Sequence, residues 1–241
     1  MAGELKVFSG RANPALTEAI CTYLETRPGR ASSETFPDGE LFVKLHDDVR
    51  GRDVFVVQPT CRPVNDNLIE LLVFMDCLRR ASARRITAVL PYFGYARQDR
   101  KDEGRVPITA KLVSNLIRQA GADRVLTMDL HAAQIQGFFD IPVDHLQAEP
   151  AFTKHFKGLD FSNVTVVSPD VGNVKRARFY AEKTGSELAI IDKRRTSGST
   201  AVVHTIIGEV EGRDVLMIDD MISTAGTLCE AARIIKEKGA R

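Results

Sequence analysis

The chain has 241 residues, and 44% apolar side chains supply enough hydrophobic surface for one large or two modest cores. Its 33 Lys and Arg against 32 Asp and Glu leave a net charge of +1, which excludes bulk electrostatic steering onto nucleic acid or a membrane surface, so any anion must be held by a local cluster. Cys21, Cys61, Cys77 and Cys229 form no CxxC pair or zinc-like spacing, no apolar run reaches the ~18 residues a membrane helix requires, and the N-terminus runs directly into a strand-like segment; together these predict a reduced, cytoplasmic protein.

Apolar β-branched runs alternate with helix-period segments, which predicts an α/β protein with mainly parallel sheet covered by helices. Strands are expected at Leu5 to Ser9, Val54 to Gln58, Ile86 to Leu90 and Arg124 to Met128, with amphipathic helices in ANPALTEAICTYLE, NDNLIELLVFMDCLRRASA and PITAKLVSNLIRQAGA. Pro107 is expected to start the third helix, where its missing N–H costs nothing, and Gly121 to follow its end. Within ETFPDGELFVKL, residues 34 to 45, the Pro-Asp-Gly turn predicts a hairpin to which sequence physics gives no function.

The pattern restarts after LQAEP, residues 146 to 150, dividing the chain into domains at 1–146 and 147–241. Strands are expected at Asn163 to Pro169, Leu188 to Asp192, Thr200 to Val210 and Val215 to Ile218, with helices in VKRARFYAEKTG and TLCEAARIIKEKG. Lys236, Lys238 and Gly239 end the last helix with cations and a cap. The chain then stops where a βα pattern would supply another strand, so the second unit reads as incomplete.

VLMIDDMISTAGT, residues 215 to 227, runs four apolar side chains into Asp219 and Asp220 and then into small residues. At the carboxyl end of a strand the two acids enter the crevice where open parallel sheets bind ligands. Adjacent carboxylates can accept from both hydroxyls of a vicinal diol, which one acid cannot do. Ser223, Thr224, Ala225, Gly226 and Thr227 then open a helix, and their small side chains let backbone N–H groups approach an anion. A carboxylate pair beside such a cradle suits a ribose phosphate; the plainer reading is a strand-to-helix turn with acidic capping. Neither GxxxxGK[ST] nor GxGxxG occurs.

Four further segments carry charge at strand ends. YARQDRKDEGR, residues 95 to 105, has no apolar side chain between Gln98 and Gly104; alone it reads as a solvated loop, but after VLPYFGY it faces the ligand edge, where arginine and lysine can hold polyphosphate. In IIDKRRTSGS, residues 190 to 199, Lys193 and Arg195 share a face of extended chain and could offset charge on a transferring phosphoryl group, unless the segment is simply a basic hairpin. MDLHAAQ sets Asp129 and His131 at one strand end, and VVSPDVGNVKR sets Asp170 at another. Magnesium takes few protein ligands and completes its shell from substrate phosphates, so one Asp and one His suit it. His46, His145, His155 and His204 carry no such context.

DDMISTAGT resembles the phosphoribosyl diphosphate signature shared by type I phosphoribosyltransferases and ribose-phosphate pyrophosphokinases. FPDGE, YARQDRKD, TMDLHAAQIQGFFDIPVD, VSPDVGNVKRA, DKRR and DDMISTAGT together resemble the latter family in order and spacing along essentially the whole chain. The resemblance implies two phosphoribosyltransferase-like α/β domains with the active site in the cleft between them, the second domain C-terminally truncated here. It implies transfer of the β,γ-diphosphoryl group of MgATP to ribose 5-phosphate. Arg97, Gln98 and Asp102 would contact ATP, with Phe36, Asp38 and Glu40 donated by a neighbouring subunit. His131 and Asp170 would bind Mg2+, Lys193 and Arg195 would be the catalytic cations, Asp219 and Asp220 would hold the ribose hydroxyls, and residues 223 to 227 the 5-phosphate. Self-association into hexamers built from dimers is implied as well. Many family members carry an acid where this chain has Ser223, although a serine can still donate to phosphate. Two alternatives remain at this level: a phosphoribosyltransferase that consumes the diphosphate, and a non-catalytic relative that regulates the enzyme.

Overall fold

The structure is a computed structural model that describes residues 5–195 and 202–241, and of residues 193–195 and 202–204 the backbone alone. The chain divides into two compact units, residues 1–147 and 148–241.

In the first unit, β1 (Leu5–Ser9), β4 (Asp53–Val57), β5 (Arg85–Leu90), β6 (Arg124–Met128) and β7 (Val143–Leu146) pair in that order, all parallel. Side chains alternate across the sheet, as a period of two requires. Phe8, Val54, Val56, Ile86, Ala88 and Leu90 enter one core, and Val7, Phe55, Val57 and Val89 face the other way. The first face is covered by α2 (Val64–Arg80) and α3 (Thr109–Ala120), through residues such as Leu71, Phe74, Val113 and Ile117. The second packs against α1 (Pro14–Tyr23) through Leu16, Ile20 and Cys21.

A separate antiparallel hairpin joins β2 (Ala31–Thr35) to β3 (Leu41–Leu45), with Gly39 taking the turn at φ +93° and Val43 anchoring it in the main core. Helix α3 corrects one expectation. It begins at Thr109, so Pro107 lies before the N-cap Ile108. The first turn is satisfied instead by Gln98, whose carbonyl accepts the Ala110 N–H at 3.1 Å and whose side-chain oxygen accepts the Thr109 hydroxyl at 2.5 Å.

In the second unit the order is β10 (Val202–Ile207), β9 (Glu187–Arg195), β8 (Val164–Ser168) and β11 (Asp214–Met217), with only β10 antiparallel. Helices α4 (Glu149–Phe156) and α5 (Val174–Thr184) lie on one face around Val166, Ala177 and Tyr180; α6 (Gly226–Glu237) lies on the other, around Val167, Ile191 and Ile235. The division between the units falls inside LQAEP, between Gln147 and Ala148, and α4 starts just after it, with Pro150 in its first turn. The strand expected to reach Val210 stops at Ile207, because Gly208 turns to φ +110° where an added Cβ would lie 2.6 Å from the Leu188 carbonyl oxygen; Thr200 and Ala201, at its expected start, lie outside the described residues. All four cysteines are free, and among the described residues no helix is long and apolar enough to cross a membrane.

Candidate active site

Strands β9, β8 and β11 are parallel neighbours, so their carboxyl ends share one edge of the second sheet. Asp170 follows β8 by two residues, and Asp219 and Asp220 follow β11. These acids interlock. Asp170 Oδ1 accepts the Asn173 backbone N–H at 2.9 Å. The Asn173 side-chain amide donates to Asp219 Oδ1 at 2.8 Å and to Asp220 Oδ1 at 3.5 Å, and the Asp220 backbone N–H reaches the same Asp219 oxygen at 2.8 Å.

Partial burial pushes the Asp219 carboxyl up to about 6. A side-chain hydrogen bond with Asp220 raises it further and the Asp220 N–H opposes this, while the like charges of Asp220 and Asp170 add to the rise. Carboxylate oxygens gathered in this way are acceptors for hydroxyl donors.

Past Met221 and Ile222 the chain reaches Ser223, Thr224, Gly226 and Thr227, all exposed, and Ala225, half-buried. Ala225 caps α6 in the left-handed conformation, φ 60°, and its carbonyl accepts the Cys229 N–H at 2.8 Å. A small left-handed residue at a helix start turns successive N–H groups toward one point, a shape that receives anions. Lys193 and Arg195 sit on extended backbone near the end of β9, beyond Ile190, which pairs with Ser168.

In the first unit the loop after β5 and the loop after β6 leave neighbouring parallel strands. Gly94 must lack a side chain there: a Cβ would meet the Thr60 carbonyl oxygen at 2.5 Å. Tyr95 is left-handed at φ 66°, and its hydroxyl donates to Asn65. Val64, Asn65, Tyr92, Tyr95, Ala96, Arg97 and Gln98 line a cavity of about 360 Å³. Arg97 and Gln98 are exposed at its mouth; Asp102 is exposed and accepts from Arg100 Nε at 2.9 Å. The Gln134 amide donates to Asp99 at 3.4 Å, which ties this loop to the one that carries His131. His131 is exposed, and Asp129 beside it adopts φ 43°, a conformation rare outside glycine. Phe36, Asp38 and Glu40 stand exposed at the hairpin tip, where Glu40 N–H donates to Asp38 at 3.1 Å and the Phe36 and Phe42 rings lie 5.8 Å apart.

Among the described residues no three His, Cys, Asp or Glu side chains converge as a closed metal cage. His131 and Asp170 belong to different units, each at a strand end.

Residues 5–121 match the N-terminal domain of ribose phosphate pyrophosphokinase, and residues 145–241 match a phosphoribosyl transferase domain. The chain belongs to the ribose-phosphate pyrophosphokinase family. It is 65% identical to the ribose-phosphate pyrophosphokinase of Rhodopirellula baltica over 99% of this chain and 76% of that one, and 56% identical to that of Ralstonia nicotianae over 98% and 75%. The crystal structure of phosphoribosylpyrophosphate synthetase from Mycobacterium smegmatis superposes with a TM-score of 0.92 at 42% identity, covering 99% of this chain and 78% of that one. Against these ribose-phosphate pyrophosphokinases the chain thus spans about three-quarters of the relatives' length.

Two residues of the site carried no signal in the sequence. Asn173 reads as an ordinary helix cap, and its bond to Asp219 joins residues 46 positions apart. His145 had no context; yet β7 pairs with β6, and His145 Nε2 accepts the Leu130 N–H at 3.0 Å, between Asp129 and His131. That bond places the ring proton of a neutral His145 on Nδ1.

Proposed function

We propose that the chain transfers the β,γ-diphosphoryl group of ATP to the anomeric hydroxyl of ribose 5-phosphate, giving 5-phosphoribosyl 1-diphosphate and AMP for nucleotide biosynthesis. The anomeric oxygen attacks Pβ, and the bond from Pβ to the oxygen bridging the α- and β-phosphates breaks, so that this oxygen leaves with AMP. The observation that carries this reading is the carboxylate set Asp170, Asp219 and Asp220 gathered through Asn173 at strand tips, followed by a helix-opening loop shaped for phosphate.

Within the second unit, Asp219 and Asp220 accept from the ribose hydroxyls, and residues 223 to 227 hold the 5-phosphate. Lys193 and Arg195 act as the catalytic cations that meet the charge developing on the transferred group. Within the first unit, Arg97 and Gln98, which line the 360 Å³ cavity, bind ATP together with Asp102 further along the same loop. Phe36, Asp38 and Glu40, exposed at the hairpin tip, extend the ATP site of a neighbouring subunit, so self-association is part of the proposal. The protein's task is alignment of two anionic substrates rather than covalent chemistry.

His131 in the first unit and Asp170 in the second, each near a strand end, would each offer one donor to Mg2+, which takes few protein ligands and leaves most of its coordination shell to substrate phosphates. Magnesium supplies charge neutralisation on the polyphosphate. The reaction belongs in the cytoplasm, where ATP is supplied, with no nucleic acid or membrane partner.

The test is AMP formation from ATP with and without ribose 5-phosphate. AMP that depends on the sugar phosphate is expected. Diphosphate release from phosphoribosyl diphosphate that depends on a nucleobase would favour a phosphoribosyltransferase, and absence of both reactions would leave a non-catalytic relative.

A further inference from the structure

Asn173 occupies the N-cap of α5, where an asparagine side chain ordinarily accepts an N–H from the first helical turn. It makes no such bond here. Its amide turns across the sheet edge and donates to Asp219 at 2.8 Å and Asp220 at 3.5 Å, while its backbone N–H holds Asp170 at 2.9 Å. One residue therefore touches all three carboxylates of the second unit's site.

Left to themselves, neighbouring carboxylates rotate apart to lower their repulsion and to reach water. A neutral NH₂ group opposes that rotation without cancelling the negative charge, as a lysine would. Asp219 Oδ1 is fixed by two N–H groups, from Asn173 and from the Asp220 backbone. Fixing one oxygen and the backbone fixes the plane of the carboxylate, and with it the position of Oδ2.

We propose that Asn173 is a positioning residue that presets Asp219 for the sugar hydroxyls and so sets discrimination between ribose 5-phosphate and 2-deoxyribose 5-phosphate. This rests on the reading above that Asp219 and Asp220 grip the ribose diol. A sugar lacking one hydroxyl leaves part of a preset acceptor array unmatched, and a rigid array is penalised more for that loss than a loose one.

The experiment compares the full chain with Asn173→Ala, Asn173→Asp and Asn173→Ser, measuring kcat and KM for each substrate and the preference for ribose 5-phosphate over its 2-deoxy analogue. Asn173→Ala is expected to raise KM for ribose 5-phosphate about tenfold and to lower the preference by a similar factor, in line with loss of one hydrogen bond to a charged acceptor. KM for ATP and kcat should stay within about twofold of the starting values, because uniform sugar binding is what is lost. Asn173→Asp should be worse still, since it sets a further carboxylate against Asp219. Asn173→Ser restores a good helix cap but is too short to bridge to Asp219, so it should melt like the parent and show the alanine defect.

Parental KM and parental preference in all three folded variants would overturn the inference while leaving the proposed reaction intact. So would parallel changes in both KM values and kcat, the mark of a residue that matters only for folding. If the parent chain forms no AMP with ribose 5-phosphate, the proposed function itself fails, and the variants are not what decided it.

Discussion

The two units present their candidate ligand groups in opposite ways. In the second, Asp170, Asp219 and Asp220 lie within three residues of strand ends, half-buried and joined by one asparagine. In the first, Arg97, Gln98 and Asp102 are exposed on a long connection, and Phe36, Asp38 and Glu40 are exposed on a hairpin outside the main sheet. The difference matches the proposed ligands. A pentose phosphate has few torsions and rewards a rigid, preset grip, whereas a triphosphate is long and flexible and is met by side chains that reach. The core follows the same division: Phe8, Phe74, Leu71, Met75 and Leu78 belong to one large apolar cluster, so the exposed loops of the first unit leave a packed base.

The comparison is tested most severely at that base. Phe74 is 1% exposed with its ring 5.7 Å from that of Phe8, and Phe74→Ala is expected to destabilise the first unit by about 3–5 kcal/mol. Hydrogen exchange read separately over residues 5–147 and 148–241 should show protection falling in the first stretch. Equal loss in both would mean that the units unfold as one and that their contrast is superficial.

Next in size is Lys193→Ala. An electrostatic donor aimed at developing charge contributes about 3 kcal/mol, so turnover should fall on the order of a hundredfold or more. Ribose 5-phosphate binding, measured by calorimetry, should be retained because the carboxylates and the phosphate loop are untouched. Near-parental turnover would remove Lys193 from the chemistry.

Much of this architecture was legible because the local signals are strong. The runs LKVFS and RVLTM are strands with the bounds their β-branched and apolar residues indicate, and the Pro-Asp-Gly turn gives the hairpin. Other elements lacked a local signal. β7 is four residues long and half polar, VDHL, and exists because β6 offers it an edge. Helix α4 was not expected: it starts within LQAEP, the boundary segment, where Pro150 is at home in a first turn. DKRR gave its charges but not its place within a nine-residue strand. At the site, Asp219 and Asp220 were readable as a pair, yet the partner that fixes them lies 46 positions away, and no spacing rule reaches that far.

The raised carboxyl of Asp219 makes the preset grip measurable as a pH effect. Its ordinary value is 3.8 and its folded value about 6, so between these the folded chain holds more protons than the unfolded one. Stability then falls as pH rises through that window, and the deficit is complete above about 6. Asp219→Asn removes the titration. The variant should melt higher than the parent at neutral pH, by a margin that shrinks toward pH 4, while losing ribose 5-phosphate binding; melts are best run with a chelator so that no cation masks the repulsion. Asp102→Asn, which removes only an exposed ion pair with Arg100, should leave the melting temperature at neutral pH close to the parent's. Similar profiles for the two variants would erase the distinction between gripping and reaching.

The smallest expected effect is at Ala225, and it separates stability from preorganisation. Its φ of 60° is the left-handed region, where a Cβ costs roughly 1–2 kcal/mol, so Ala225→Gly relieves strain in the folded chain. Glycine also gives the unfolded chain more freedom, which offsets about 0.4–1 kcal/mol of that gain. The net should be a stabilisation of about 1 kcal/mol or less, a rise of a few °C in melting temperature. The same substitution lets the phosphate loop sample other conformations, so affinity for ribose 5-phosphate should fall slightly even as the melting temperature rises. Opposite signs in these two measurements are what a strained, preset loop requires. If both move down, the left-handed turn is not strained, and if both move up, rigidity at Ala225 is not what holds the phosphate.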